Sequence, residues 1–245
     1  MSARTNTVDK AGAPPLRAIS FGDPAVDVER RDDGTIYLRP KQPLADYPVR
    51  LTDRLHHWAS AEPHRVFMAE RNAAGGWREI TYAQLLDSSR RIASALLSRG
   101  LSPERPIVLL SGNSVDHALI AFGAFYAGIP FCPVSPAYSL VSKDYGKLAF
   151  VLKLLTPGLV FADDAAKFAD ALTANVSDGT EIVVSRGSVP GREVTRLSAL
   201  LATSEHPRLD AAHEAIGPDT IAKFLLTSGS TGIPKAVINT QRMIC

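Results

Sequence analysis

The sequence predicts an α/β fold in which β-α-β units form a mainly parallel sheet flanked by helices. Two observations carry that prediction. Apolar, strand-like runs alternate with segments of helical period along most of the chain. The run PIVLL at residues 106–110 is apolar throughout, as expected of a strand covered on both faces. No internal repeat or low-complexity block interrupts the alternation, and consecutive β-α-β units imply right-handed crossovers.

Each element follows from local signals. Thr52 is placed to cap a short helix that carries Leu55 and Trp58 and stops near Pro63. VFMAE (66–70) and AAGGWREI (73–80) read as two strands joined by a glycine turn. In residues 81–100, Thr81 and Gln84 make a capping box, Leu85, Ile92 and Leu96 form an apolar stripe, and Gly100 supplies a left-handed stop. After PIVLL, Ser114 or Asn113 caps a helix that Gly128 ends. PFCPV (130–134) continues as a strand whose prolines suggest a strand end or a sheet edge. A helix in 143–155, a strand in 159–163, a helix from about Asp164, a strand in 181–184 and a short helix in 194–202 follow. The polar segment 203–220, with two prolines, is expected to run over the surface before a last pair of strands, IAKFLL (221–226) and KAVIN (235–239).

Composition excludes several function classes. The 245 residues are 45% apolar and 21% charged, ordinary globular material. A net charge of +2, from 27 basic and 25 acidic residues, gives no field that would gather nucleic acid or anionic lipid. Cys132 and Cys245 make neither a disulfide framework nor a zinc pair, which fits a reducing, cytoplasmic setting. Residues 118–134 carry no charge, but Gly128, Pro130 and Pro133 divide them into a helical half and an extended half, so no membrane span is expected. The first 33 residues lack the apolar region of a secretory signal and read as a tail, with a transit peptide as the alternative. His56 and His57 are adjacent and cannot share a metal as an i, i+4 pair does, so helix-face histidines are expected. His117 lies in an apolar helix and reads as a satisfied buried or cap-proximal group, and Phe122, Phe125 and Tyr126 read as core.

The stretch with chemistry is LLTSGSTGIPKAV, from Leu225 to Val237. It joins two extended segments, whereas a Walker A loop opens a helix and ends Gly-Lys-Ser/Thr; here Lys235 is followed by Ala236. A dinucleotide fingerprint fails as well, because Gly229 and Gly232 have no third glycine in register. What remains is a set of backbone donors freed by two glycines, the hydroxyls of Thr227, Ser228, Ser230 and Thr231, and the cation of Lys235. Such groups wrap polyphosphate oxygens. Composition alone equally suits a plain connecting loop.

The ordered string T-S-G-S-T-G-x-P-K resembles the phosphate-loop signature of the adenylate-forming, or AMP-binding, enzymes: acyl- and aryl-CoA synthetases, luciferases and peptide-synthetase adenylation domains. WREITYAQLLDSSRRIASALLSRGL and AFYAGIPFCPVSP are similar to two earlier segments of that family, in the same order. Residues 111–162 and GTIYLRPKQPLADYPVRLTDRLHHWA, beginning at Gly34, are most similar to feruloyl-CoA synthase-like enzymes. The likeness implies a partial AMP-binding N-terminal domain over residues 34–245, truncated after the phosphate loop. It implies ATP, Mg2+ and coenzyme A, a small carboxylic acid of hydroxycinnamate type as substrate, and a phosphate grip by Thr227, Ser228, Gly229, Ser230, Thr231, Gly232 and Lys235. No nucleophile is assigned. Other acyl-CoA synthetases and amino-acid adenylation domains share every loop residue, and a non-catalytic nucleotide-binding or interaction remnant is the alternative of another class. Ala236 stands where the family usually has glycine, and Gln241 where many relatives have histidine. Relatives are far longer, and their adenine, magnesium and C-terminal lysine sites lie downstream. The chain alone is therefore expected to have little or no ligase activity and to leave apolar sheet edges uncovered.

Overall fold

The computed structural model of the protein describes residues 23–227 and 232–245, and the chain divides into two compact units after Asp46. In the first, β1 (Val26–Arg30) and β2 (Ile36–Pro40) form an antiparallel hairpin. Its turn is closed by Gly34 at φ +84° and by Asp33, whose carboxylate accepts the Thr35 amide hydrogen. Along the strands Glu29 pairs with Arg31 and Arg39.

The second unit opens with α1 (Leu51–Ala61), the antiparallel pair β3 (Val66–Arg71) and β4 (Trp77–Thr81), and α2 (Tyr82–Leu97). Then come β5 (Ile107–Leu110), α3 (Val115–Ala127), β6 (Phe131–Val134), α4 (Ala137–Leu140) and α5 (Gly146–Leu155). They are followed by β7 (Leu159–Asp164), α6 (Ala165–Asn175), β8 (Glu181–Arg186), β9 (Thr195–Arg196), α7 (Leu197–Leu201) and α8 (Leu209–Glu214). The last elements are β10 (Ile221–Thr227), β11 (Lys235–Thr240) and α9 (Gln241–Ile244).

Seven strands form one sheet in the order β11-β10-β6-β5-β7-β8-β9, parallel except for the β10–β11 pair. The period of two explains why its central strands are apolar throughout. Ile107, Leu109, Leu159, Phe161 and Val183 bury against α1, α2 and α3, while Val108, Leu110, Val160, Ala162 and Val184 bury against α5 and α6.

The helix signals act largely as the sequence predicts. Thr81 Oγ1 accepts the Gln84 amide hydrogen and Gln84 Oε1 accepts that of Thr81. Ser114, not Asn113, caps α3 by accepting the His117 amide hydrogen, and Gly128 ends that helix at φ +69°. Helices α2 and α3 meet at Gly123, where a Cβ would lie 2.3 Å from Ile92 Cγ2, so only a glycine admits that approach.

Three expectations are corrected. Thr52 does not cap α1. The helix starts two residues earlier than a Thr52 cap would set it, with Arg50 at the cap position and Asp53 accepting both its backbone N–H and its Nε, and Thr52 is buried inside the helix. β6 is not a sheet edge, although Pro130 stands just before the strand and Pro133 next to its last residue, as the strand-end alternative expects. Its prolines are tolerated because its ladder to β10 is a single register pair, Phe131 opposite Lys223, so the two strands do not pair alongside Pro133. Segment 203–220 does run largely over the surface, but it is not a plain connection, since it holds α8 and buries Leu209, His213 and Ile216. Their spacing of four and then three residues is a helix face, masked in sequence by its proline and charged neighbours.

Candidate functional site

The phosphate-loop string sits in a β-hairpin. Leu225 faces Val237, Leu226 faces Ala236, and Thr227 faces Lys235 as the last pair before the loop. Of the loop residues predicted to grip phosphate, Ser228, Gly229, Ser230 and Thr231 lie outside the described residues. Gly232 takes φ +78° with open space where a side chain would stand, a backbone conformation that favours glycine. Thr227 and Lys235 are exposed, and Pro234 between them is buried. Among the described residues no carboxylate lies within ion-pair distance of Lys235, so its charge is not neutralised locally.

Topology puts this loop where ligand chemistry is expected. β10 runs parallel to β6, so the loop after Thr227 emerges at the edge formed by the C-terminal ends of β5, β6, β7 and β8. In open α/β sheets that edge carries the ligand. The other end of the hairpin is fixed firmly. Gln241 donates its amide hydrogen to Thr220 O, Arg242 donates to Pro218 O, and Gln241 Oε1 accepts the Leu51 amide hydrogen at 3.1 Å. Gln241 is 1% exposed, so the glutamine at this position satisfies one of the unpaired donors at the start of α1. Ala236 is half-buried and packs against the core formed with α5 and α6.

Sequence reasoning missed a polar cluster beneath that anchor. His213 is buried, its Nε2 lies 2.8 Å from Thr52 Oγ1, and its ring stacks on Tyr126 at 4.1 Å between centroids. Arg50 donates to the His213 carbonyl, and His56 Nε2 lies 3.2 Å from the Tyr126 hydroxyl. Arg90 bridges Tyr126, Glu205 and Asp210. Burial, with the Arg50 and His56 charges adding to it, pushes the His213 pKa down to about 4, and burial lowers that of His56. The only sequence signal was the helix spacing of Leu209, His213 and Ile216.

The other residues singled out take the structural roles expected of them. His117 Nδ1 lies 2.6 Å from Ser111 Oγ, and burial lowers its pKa. Phe125 and Tyr126 are buried in the core, and Phe122 meets Phe125 edge to face. Burial pushes the Cys132 thiol up to about 12, which leaves it a poor nucleophile. Among the described residues no group of three His, Cys, Asp or Glu side chains could hold a metal ion, and no helix is long and apolar enough to cross a membrane.

Residues 55–245 match the family model described as AMP-binding enzyme. The chain is 27% identical over 204 residues to a salicylyl-CoA synthase / salicylate adenylyltransferase of a Streptomyces species, covering 82% of this chain and 34% of that protein. It is 27% identical over 198 residues to the phosphinothricin tripeptide synthetase PhsB of Streptomyces viridochromogenes, covering 79% of this chain and 14% of that protein. Among solved structures, a benzoate CoA ligase from Burkholderia xenovorans superposes with a TM-score of 0.61 at 22% identity, over 79% of this chain and 35% of its own. The chain thus spans about a third or less of the curated relatives it matches. The likeness to that solved structure bears on the fold, a large, mostly parallel sheet flanked by helices as in the N-terminal domains of adenylate-forming ligases.

Proposed function

The chain belongs to the AMP-binding enzyme family, and from that premise we propose that it contributes the phosphate-gripping part of an ATP-dependent acid-thiol ligase. The acid we propose is aromatic, of hydroxycinnamate or benzoate type, activated first as its adenylate and then passed to coenzyme A. The acid's carboxylate attacks the α-phosphorus of ATP, the bond to the β-phosphate breaks, and pyrophosphate leaves. The thiol of coenzyme A then attacks the acyl carbonyl and AMP departs.

This chain's part is electrostatic. Charge gathers on the departing pyrophosphate, and aligned donors with a lysine stabilise it more than a covalent group could. Thr227, Ser228, Gly229, Ser230, Thr231, Gly232 and Lys235 are the proposed grip. The observation that carries the reading is the hairpin closing pair, exposed Thr227 opposite exposed Lys235, at the C-terminal edge of a parallel sheet. Magnesium, on this reading, is carried by the nucleotide's phosphates, as is usual for that ion. The aromatic assignment draws support from the salicylate relative and from the likeness of residues 34–59 and 111–162 to feruloyl-CoA synthase-like enzymes. A cytoplasmic setting is proposed on the cysteine usage.

Titration of a fluorescent ATP analogue into the chain tests the grip. Lys235→Ala is expected to weaken binding about tenfold, the scale of one charge-assisted hydrogen bond. Unchanged affinity with an intact far-ultraviolet spectrum refutes it. A second reading is favoured by the peptide-synthetase relative: an amino acid is adenylated instead. Acid-dependent pyrophosphate exchange by the protein with its downstream domains, over hydroxycinnamates, benzoates, fatty acids and amino acids, separates the two.

A further inference from the structure

Between the first turn of α5 and the near end of the phosphate hairpin lies a cavity of about 240 Å3, lined by Gly146, Lys147, Phe150, Gly232, Ile233 and Pro234. At about 30 Å3 of liquid per water molecule, it has room for a phosphoryl group with part of its hydration. Among the described residues its one charged lining side chain is Lys147. Among the described residues no carboxylate lies within ion-pair distance of that ammonium, which sits 5.5 Å from the ring centroid of Tyr138 on α4. A cation resting on an aromatic face keeps its charge available to a ligand.

The nearby acid forms no ion pair with it. Asp144 Oδ1 accepts from the Ser142 hydroxyl and from the Gly146 amide in the turn that precedes α5, and the Lys147 charge adds, behind those two bonds, to holding the Asp144 carboxyl below its ordinary range. A surface lysine without a partner is ordinary. One that shares a cavity with the glycine of a phosphate loop has a specific use.

We propose that Lys147 is a second phosphate-binding cation, serving the terminal phosphates of ATP and the pyrophosphate that leaves, and reaching them from α5 and not from the hairpin that carries Lys235. The inference rests on the phosphate-loop reading above and adds to it a residue 88 positions upstream of Lys235, outside the loop string. Because Lys147 serves the phosphates that depart, it discriminates among nucleotides. ATP and pyrophosphate gain from it, and AMP does not.

Titration calorimetry of the whole 245-residue chain with inorganic pyrophosphate, ATP and AMP tests this. Lys147→Ala is expected to weaken pyrophosphate and ATP about tenfold and to leave AMP unchanged, the scale of one charge-assisted hydrogen bond. Lys147→Arg is expected to restore most of the affinity, because the charge is the requirement. Lys153→Ala, an exposed cation in the last turn of the same helix, serves as the control and is expected to bind as the parent does. If Lys235→Ala weakens pyrophosphate and Lys147→Ala does not, Lys147 has no such role and the phosphate-loop reading stands. If the parent chain binds neither pyrophosphate nor ATP, both fall together. Equal losses in Lys147→Ala and Lys147→Arg, with AMP weakened as well, overturn the charge argument in favour of a packing role.

Discussion

Replacing His213 with glutamine should remove a specific part of the protein's pH dependence. The parent side chain is 7% exposed, lies against Thr52 and Tyr126, and is held neutral down to about pH 4. In the unfolded chain a histidine titrates near 6.5. Between those values the unfolded state binds a proton that the folded state refuses, so stability is full above about pH 6.5 and falls as the pH drops toward the folded value. Integrating one proton from about pH 7 to about pH 5 gives a loss of roughly 2 kcal/mol. His56 and His117, both lowered by burial, add losses of the same sign. Carboxylates held low, such as Glu181 beside Arg99 and Thr195, titrate below this window even when unfolded. The assay is urea unfolding followed by circular dichroism at several pH values. His213→Gln keeps a polar group near Thr52 but cannot titrate, so its stability should vary with pH by roughly 2 kcal/mol less than that of the parent. An identical slope in parent and variant would refute the buried-neutral assignment.

Two further outcomes follow from packing and capping. Gly123→Ala should cost about 1–3 kcal/mol by overpacking against Ile92, and combining it with Ile92→Ala should recover part of that loss; additive costs in a double-mutant cycle would show that the approach of α2 to α3 is not limiting. Thr81→Ala should cost about 1 kcal/mol by leaving the Gln84 amide without its cap, read as a shift of the urea midpoint at constant slope.

The parts of the fold legible in sequence are those set by near neighbours. Thr81 with Gln84 and Gly128 at φ +69° act within a few residues, so their signals survive any tertiary context. The apolar run at 107–110 was legible as a buried strand because burial on both faces leaves no room for polar alternation. The loop string was legible for another reason: backbone donors, hydroxyls and a cation in fixed order carry their chemistry in the covalent sequence. Segment 203–220 misled because its prolines and charged residues outnumber the three positions buried in and just after α8. Thr52 misled because a threonine before an apolar stripe looks like a cap, whereas here its hydroxyl meets an imidazole.

By itself, the sequence determined most of the strand and helix alternation from α1 to β8, the caps of α2 and α3, the hairpin that carries the phosphate-loop string and the family to which the chain belongs. Tertiary structure decided the strand order, the interior place of proline-bearing β6 and the partners of the buried polar groups. The physical reason is chain distance. Thr52 meets His213 across 161 residues and Leu51 meets Gln241 across 190, contacts that no local pattern encodes and that arise only when the sheet brings α1, α8 and the hairpin's far end together.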